Sequence, residues 1–138
     1  MVDVFSPEDR SLIMAKIKSR DTKPELVLRR TLWAAGARGW RCHRTDLPGR
    51  PDIAFGPAQL AVFVDGAFWH GHPSKYKEGQ SGDFWDRKIA ANMARDREAD
   101  IALEGLGWAP LRLWDFEVMA DPPAAATQVQ ERLHELGP

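Results

Sequence analysis

Two carboxylates and a histidine carry the first chemical signal in this 138-residue chain. Asp52 follows Pro51 at the start of the apolar run Ile53-Ala54-Phe55, and Asp65 closes the run Leu60-Ala61-Val62-Phe63-Val64 just before Gly66. Read as strands, these runs make the two acids converge at strand ends. Hard carboxylate oxygens so placed suit Mg²⁺, which takes few protein ligands and completes a near-octahedral shell with water or phosphate oxygens. Asp52 alone is read more simply as a turn residue, because Pro-Asp is a common turn dipeptide. The nearby run Phe68-Trp69-His70-Gly71-His72 shifts that balance. Adjacent strand residues face opposite sides, so two bulky aromatics beside a histidine do not all enter one core. His70 near a metal carboxylate can serve as general base or acid at neutral pH, and an exposed Phe68-Trp69 pair can wedge between bases. A histidine satisfied inside the core is the alternative. His72, His43 and His134 read as surface or structural residues.

The elements that position these groups follow from caps and periodicity. Ser6-Pro7-Glu8-Asp9 starts a short helix to about residue 17, and Thr22-Lys23-Pro24-Glu25 gives a capping-box start for a second helix ending near Gly36. Residues 40–44, 51–55 and 60–64 are short strand-like runs separated by Pro and Gly turn signals, the third being the most apolar and so the most central. Residues 71–82 read as a mobile loop, and Asp83 as the cap of a long helix over 84–104. A fourth strand spans 109–114, and a C-terminal helix spans 124–136. Three consecutive strands, a crossover helix and a fourth strand predict a mixed sheet flanked by helices, an α/β/α sandwich.

Composition sets the outer limits. The 19 basic and 20 acidic residues give a net charge of −1, which excludes a uniformly basic protein. The average conceals a gradient: residues 1–50 carry 11 basic and 6 acidic side chains, 51–98 carry 6 and 7, and 99–138 carry 2 and 7. A basic segment concentrates a polyanion whatever the far side carries, although an unevenly charged solvated surface explains the same numbers. Cys42 is the only cysteine, so an internal disulfide and a cysteine-rich zinc site are both excluded. Neither a membrane-spanning run nor a signal-peptide pattern is present, and the expectation is a cytoplasmic, single-domain protein.

In order and spacing, several motifs resemble the very short patch repair (Vsr) endonucleases, bacterial enzymes that nick DNA beside T:G mismatches. They are Arg10-Ser11 with Met14; Arg20-Asp21-Thr22 with Glu25; Leu47-Pro48-Gly49-Arg50-Pro51-Asp52; Gly66 with Phe68-Trp69-His70; Phe84-Trp85 with Lys88-Ile89 and Asn92; Arg95-Asp96; and Leu106-Gly107-Trp108 through Trp114. The resemblance spans roughly residues 10–116. It implies a restriction-endonuclease-like fold of the PD-(D/E)xK superfamily, with 1–20 as a DNA-contacting helix, 21–115 as the endonuclease core and 116–138 as the C-terminal helix. It also implies that Asp52 is the main ligand of catalytic Mg²⁺, aided by the Val64 carbonyl, that Glu25 holds metal-bound water, and that His70 transfers protons. Phe68, Trp69 and Trp85 match the family's intercalating wedge, and Met14 a residue entering from the opposite groove. Double-stranded DNA with a T:G mismatch is then the substrate, with mismatch-repair proteins as candidate partners of a monomeric enzyme.

The match also fails in places. The family's structural zinc is bound by three cysteines and a histidine, and the corresponding residues here are Ala67, Ser74 and Phe116 with only His72 retained. No structural zinc is expected, and apolar packing of Ala67 and Phe116 is the anticipated replacement. Val64 stands where the family has threonine, and Asp65 where it has histidine. Asp65 thereby becomes a candidate catalytic carboxylate and a further metal ligand. The superfamily's lysine is absent, since position 67 is alanine. Three hypotheses follow: a nickase cutting 5′ to the thymine of a T:G mispair; a restriction or defence nuclease acting on another mispair or a modified base; and a mismatch-binding protein that no longer cleaves.

Overall fold

The computed structural model describes residues 21–80 and 82–137. Met14 and the helix expected over 6–17 lie outside the described residues. Helix α1 (Lys23–Ala34) begins after Thr22, whose backbone is extended, and carries Pro24 near its start, where no amide is required. The capping box does not form. The Thr22 side chain makes no capping hydrogen bond, and Glu25 Oε2 instead accepts from the Asp21 amide at 3.0 Å.

Strands β1 (Trp40–Cys42), β2 (Ile53–Phe55), β3 (Leu60–Asp65) and β4 (Ala109–Trp114) form one sheet in that order. β1–β2 and β2–β3 are antiparallel, whereas β3 and β4 are parallel, with Leu60 opposite Ala109 and Asp65 opposite Trp114. Parallel neighbours need a long crossover, and the 23-residue helix α2 (Asp83–Gly105) supplies it. Gly82 precedes this helix with φ 96° and Asp83 is its first residue, so Asp83 is not the cap expected of it. After β4, a short helix α3 (Asp115–Ala120) that the sequence reading lacked leads into α4 (Pro122–Leu136). There Asp121 caps the Ala124 amide at 3.2 Å, and the helix starts at Pro122 rather than at 124.

The pleat sorts side chains into two layers. Leu60 and Val62 pack with Leu28 and Leu32 of α1, Val118 of α3 and Val129 of α4. Ala61 and Phe63 pack on the other face with Ala54, Leu47 and Leu103 of α2. Full burial of each large aliphatic side chain stabilises the fold by about 1.5–3 kcal/mol. The outcome is a four-stranded mixed sheet with helices on both faces, as expected. Among the described residues, no helix is long and apolar enough to cross a membrane.

Candidate active site

A cavity of about 790 Å³ opens where the N-terminal end of α1, the end of β3 and the middle of α2 meet. Glu25, Asp52, Val64, Asp65, Trp69 and His70 all border it, so the fold gathers residues separated by up to 45 positions. Two groups of polar side chains divide this space.

The first is built on Asp52 and Glu25. Asp52 lies immediately before β2, and its Oδ2 accepts from the Val64 amide at 2.7 Å. Its carboxyl is pushed up to about 7, first by burial and then by the charge of Glu25, with Asp65 adding to the effect and the Val64 amide opposing it. Glu25 is only 3% exposed. Arg29 lies 3.8 Å from Glu25 and donates to Asp21 at 2.7 Å. His43, read from sequence as a surface or structural residue, places Nε2 3.2 Å from Asp21 and 3.6 Å from Glu25. Its backbone explains the position: φ is 52°, and its amide donates to the Asp52 carbonyl, turning the side chain back across the strand start.

The second group surrounds His70. Its Nδ1 is paired with Asp96 Oδ2 on α2, and its Nε2 lies 3.9 Å from Asp65 Oδ1. Asp65 is 5% exposed, and burial raises its pKa against the opposing charges of His70 and Arg112. Arg112 of β4 donates to both Asp65 oxygens at 3.1 Å and to Asp100 at 2.8 Å. Asp96 and Arg112 were not assigned roles from sequence. A cation in the middle of the apolar strand Ala-Pro-Leu-Arg-Leu-Trp was the available signal for the second.

Comparison with known proteins decides the lineage. The profile of the family described as DNA mismatch endonuclease Vsr matches residues 2–76. The chain belongs to the Vsr family. It is 42% identical over 120 residues to the Type II nicking enzyme V.XorIIP of Xanthomonas oryzae, covering 86% of this chain and 88% of the relative. It is 37% identical to the Type II nicking enzyme V.HpaIIP of Haemophilus parainfluenzae over 138 residues, covering 97% of each. Identity to the DNA mismatch endonuclease Vsr of Escherichia coli is 33% over 137 residues, covering 98% of this chain and 87% of the relative. This Vsr-family protein is a DNA nicking endonuclease, and the family implies the restriction-endonuclease-like fold.

Vsr-family nucleases typically use Mg²⁺. The Asp52 side of the cavity fits such an ion: burial first, and the charge of Glu25 second, disfavour the ionised Asp52 carboxylate, and a cation offsets both.

The aromatic residues depart from expectation. Trp69 is 9% and Trp85 3% exposed, and with Ile89 they form a buried cluster against which the half-buried Phe68 and Tyr76 pack. The exposed Phe68-Trp69 pair inferred from strand alternation is therefore corrected at Trp69, which is buried, while Phe68 is half-buried. Residues 67–71 form a tight turn, with the His70 amide donating to the Gly66 carbonyl at 3.0 Å and the His72 amide to the Ala67 carbonyl at 2.8 Å. Side chains fan around such a turn rather than alternating. Asn92 of α2 fixes it by donating to the Trp69 carbonyl at 3.0 Å. Rings meet edge to face, Trp69 and Trp85 at 5.3 Å and Phe68 and Trp85 at 5.8 Å, while Phe84 beside them is 51% exposed.

Residues that the sequence reading set against a zinc corner also lie near one another. The His72 ring packs edge to face against Trp114 at 4.7 Å and Phe116 at 5.0 Å, and its Nδ1 accepts from the Ser74 amide at 3.0 Å. The Ala67 amide donates to Asp115 at 3.2 Å. Aromatic packing and backbone hydrogen bonds thus tie the turn to the end of β4. The expected mobile loop following it is a series of turns anchored by Asp86, which accepts from Tyr76 Oη at 2.6 Å and the Gly79 amide at 3.1 Å.

Proposed function

We propose that this Vsr-family enzyme nicks double-stranded DNA 5′ to the thymine of a T:G mismatch, the reaction of very short patch repair. The observation that carries the reading is the convergence of Glu25, Asp52 and His70 on one cavity. In this proposal Asp52 and the Val64 carbonyl hold Mg²⁺, which supplies charge stabilisation for the scissile phosphate and leaving group. Glu25 accepts hydrogen bonds from water on the same side. His70, oriented through Nδ1 by Asp96, presents Nε2 for proton transfer, with Asp65 beside it. No lysine is needed in this arrangement.

Selectivity is assigned to the aromatic block of Phe68, Trp69 and Trp85, with Met14 approaching from the opposite groove. Unstacking costs a few kcal/mol per base step and least at a mispair, so a wedge itself favours mismatched DNA. Trp69 and Trp85 are packed, so wedging requires the block to shift on the duplex. Fluorescence of 2-aminopurine beside the mispair reports that unstacking, and Trp69→Ala should abolish the signal.

A labelled T:G duplex with Mg²⁺, run beside the matched duplex, tests the activity. A nick confined to the T strand of the mispair is the expected result, and full activity in Asp52→Ala or His70→Ala would sink the site assignment. A second reading draws on the relatives named Type II nicking enzymes, which point to service beside a restriction system and to another mispair or a modified base. A panel of mispaired and methylated duplexes separates the two readings.

A further inference from the structure

Every nitrogen of the Arg112 guanidinium is engaged. Nη1 donates to both oxygens of Asp65 at 3.1 Å and lies 3.6 Å from Asp96 Oδ1. Nε donates to both oxygens of Asp100 at 3.0 and 3.1 Å, and Nη2 donates to Asp100 Oδ1 at 2.8 Å and to the Asp96 carbonyl at 3.3 Å. The guanidinium carbon lies 4.1 Å from the centre of the ring of Phe63, its partner on the neighbouring strand β3. Planar, fixed donors of this kind hold carboxylates in a way that a lysine cannot.

Asp65, His70 and Asp96 offer ligand atoms within 4.8 Å of one another, a spacing that would suit a divalent cation. The guanidinium already occupies the carboxylate side of that cluster. A cation bound to Asp65 would face a positive group hydrogen-bonded to the same oxygens, an unfavourable arrangement among partly buried charges. We propose that Arg112 is the resident cation of the Asp65–His70–Asp96 cluster: it takes the place of a divalent ion there, withdraws Asp65 from metal binding, and fixes the carboxylates against which His70 is held. Arg112 is thus a positioning residue joining β3, β4 and α2 behind the proton-transfer histidine. The inference rests on the assignment of the metal to Asp52, and it divides the cavity into a metal half and a proton-transfer half.

Mn²⁺ binding followed by electron paramagnetic resonance tests this independently of cleavage. The proteins are the full chain, Asp52→Asn, Asp65→Asn, Arg112→Gln, and the Arg112→Gln/Asp65→Asn double variant, each checked for folding by circular dichroism. Asp65→Asn should bind Mn²⁺ within about twofold of the parent affinity, and Arg112→Gln should gain one weak additional Mn²⁺ that the double variant loses. A tenfold or greater loss of Mn²⁺ affinity in Asp65→Asn, or no additional ion in a folded Arg112→Gln, overturns the proposal. The Asp65→Asn arm decides the matter even where Arg112→Gln does not fold. Undiminished Mn²⁺ binding in Asp52→Asn is a separate result and removes the Asp52 assignment instead. Arg112→Lys, which keeps the charge but not the fork, should lower kcat for nicking by about tenfold or more with KM for DNA unchanged. Parent kcat in that variant contradicts a positioning role.

Discussion

Replacing Asp52 by Asn should make the metal-free protein more stable at neutral pH while ending its catalysis. The Asp52 carboxyl is raised from 3.8 to about 7, chiefly by burial and by Glu25. Below the unfolded value the group is protonated in both states, and the stability it contributes is fully present. As pH rises through the folded value that contribution is lost, because the unfolded chain has already released the proton. A difference of about three units at 1.36 kcal/mol each amounts to about 4 kcal/mol by about pH 8. Asn keeps the shape and an oxygen for the Val64 amide, but its NH₂ returns about 1 kcal/mol of desolvation cost. The net gain is about 3 kcal/mol, or roughly 10 °C in thermal midpoint for a chain of this size. Thermal melts in EDTA across this pH range measure it. The gain should shrink to within about 1 kcal/mol near pH 4. Adding Mg²⁺ at a hundredfold over its Kd should stabilise the parent by about 2.7 kcal/mol and leave the variant unmoved. A variant less stable than the parent at about pH 8 in EDTA, or an equal response to Mg²⁺, refutes the picture of two opposed carboxylates awaiting a cation.

Gly49 has φ +77°, and an added Cβ would lie 2.9 Å from Ala99 Cβ and 3.2 Å from the Phe63 ring. Gly49→Ala should therefore cost about 2–4 kcal/mol in urea unfolding, whereas Gly36→Ala, at φ +95° with nothing within 4 Å, should cost about 1 kcal/mol from backbone strain alone. Tyr76 is raised to about 12 by its hydrogen bond to Asp86. It is the only tyrosine of the chain, so its ultraviolet titration is unambiguous; Asp86→Asn should return it toward 10, and an unchanged titration contradicts the anchored loop. Arg50 and Arg95 border the cavity, and neither pairs with a carboxylate of the described residues. Each Arg→Ala change there should reduce the slope of log binding constant against log salt by about one, while Arg29→Ala, whose cation is already held by Asp21, should leave that slope unaltered.

The strands and the long crossover helix were legible because their signals are local: apolar runs between Pro and Gly turn signals for the strands, and a long uninterrupted helical stretch between the third and fourth of them. The misread pieces are those that tertiary contacts decide. Helix α3 is only six residues long and is held by burial of Val118 against α1. The 67–71 segment contains residues that suit a strand, yet Asn92 and the Gly66 carbonyl curl it into a turn, which buries Trp69 and leaves Phe68 half-buried. Thr22 and Glu25 have the spacing of a capping box, but Glu25 is drawn to the Asp21 amide and the cavity. The same limit applies to the site. Asp52, Asp65 and His70 announce themselves by type and place, whereas Arg112 and Asp96 acquire meaning only when β4 and α2 close on β3.

That closure also resolves an electrostatic difficulty in an acidic cavity meant for a polyanion. Glu25, Asp52, Asp65 and Asp96 line a space that must receive a phosphodiester, and alone they would repel it. Arg112 offsets Asp65 and Asp96 from behind the site, and Arg29 does the same beside Glu25. On the proposed assignment a divalent ion at Asp52 would balance the remaining repulsion, which leaves the front of the cavity to Arg50 and Arg95. The overall charge of −1 then says little about DNA binding, because many of the acids are matched by cations within the fold. What matters is which cations bordering the cavity remain unmatched: Arg50 lies two residues before Asp52, and Arg95 lies one turn from Asn92.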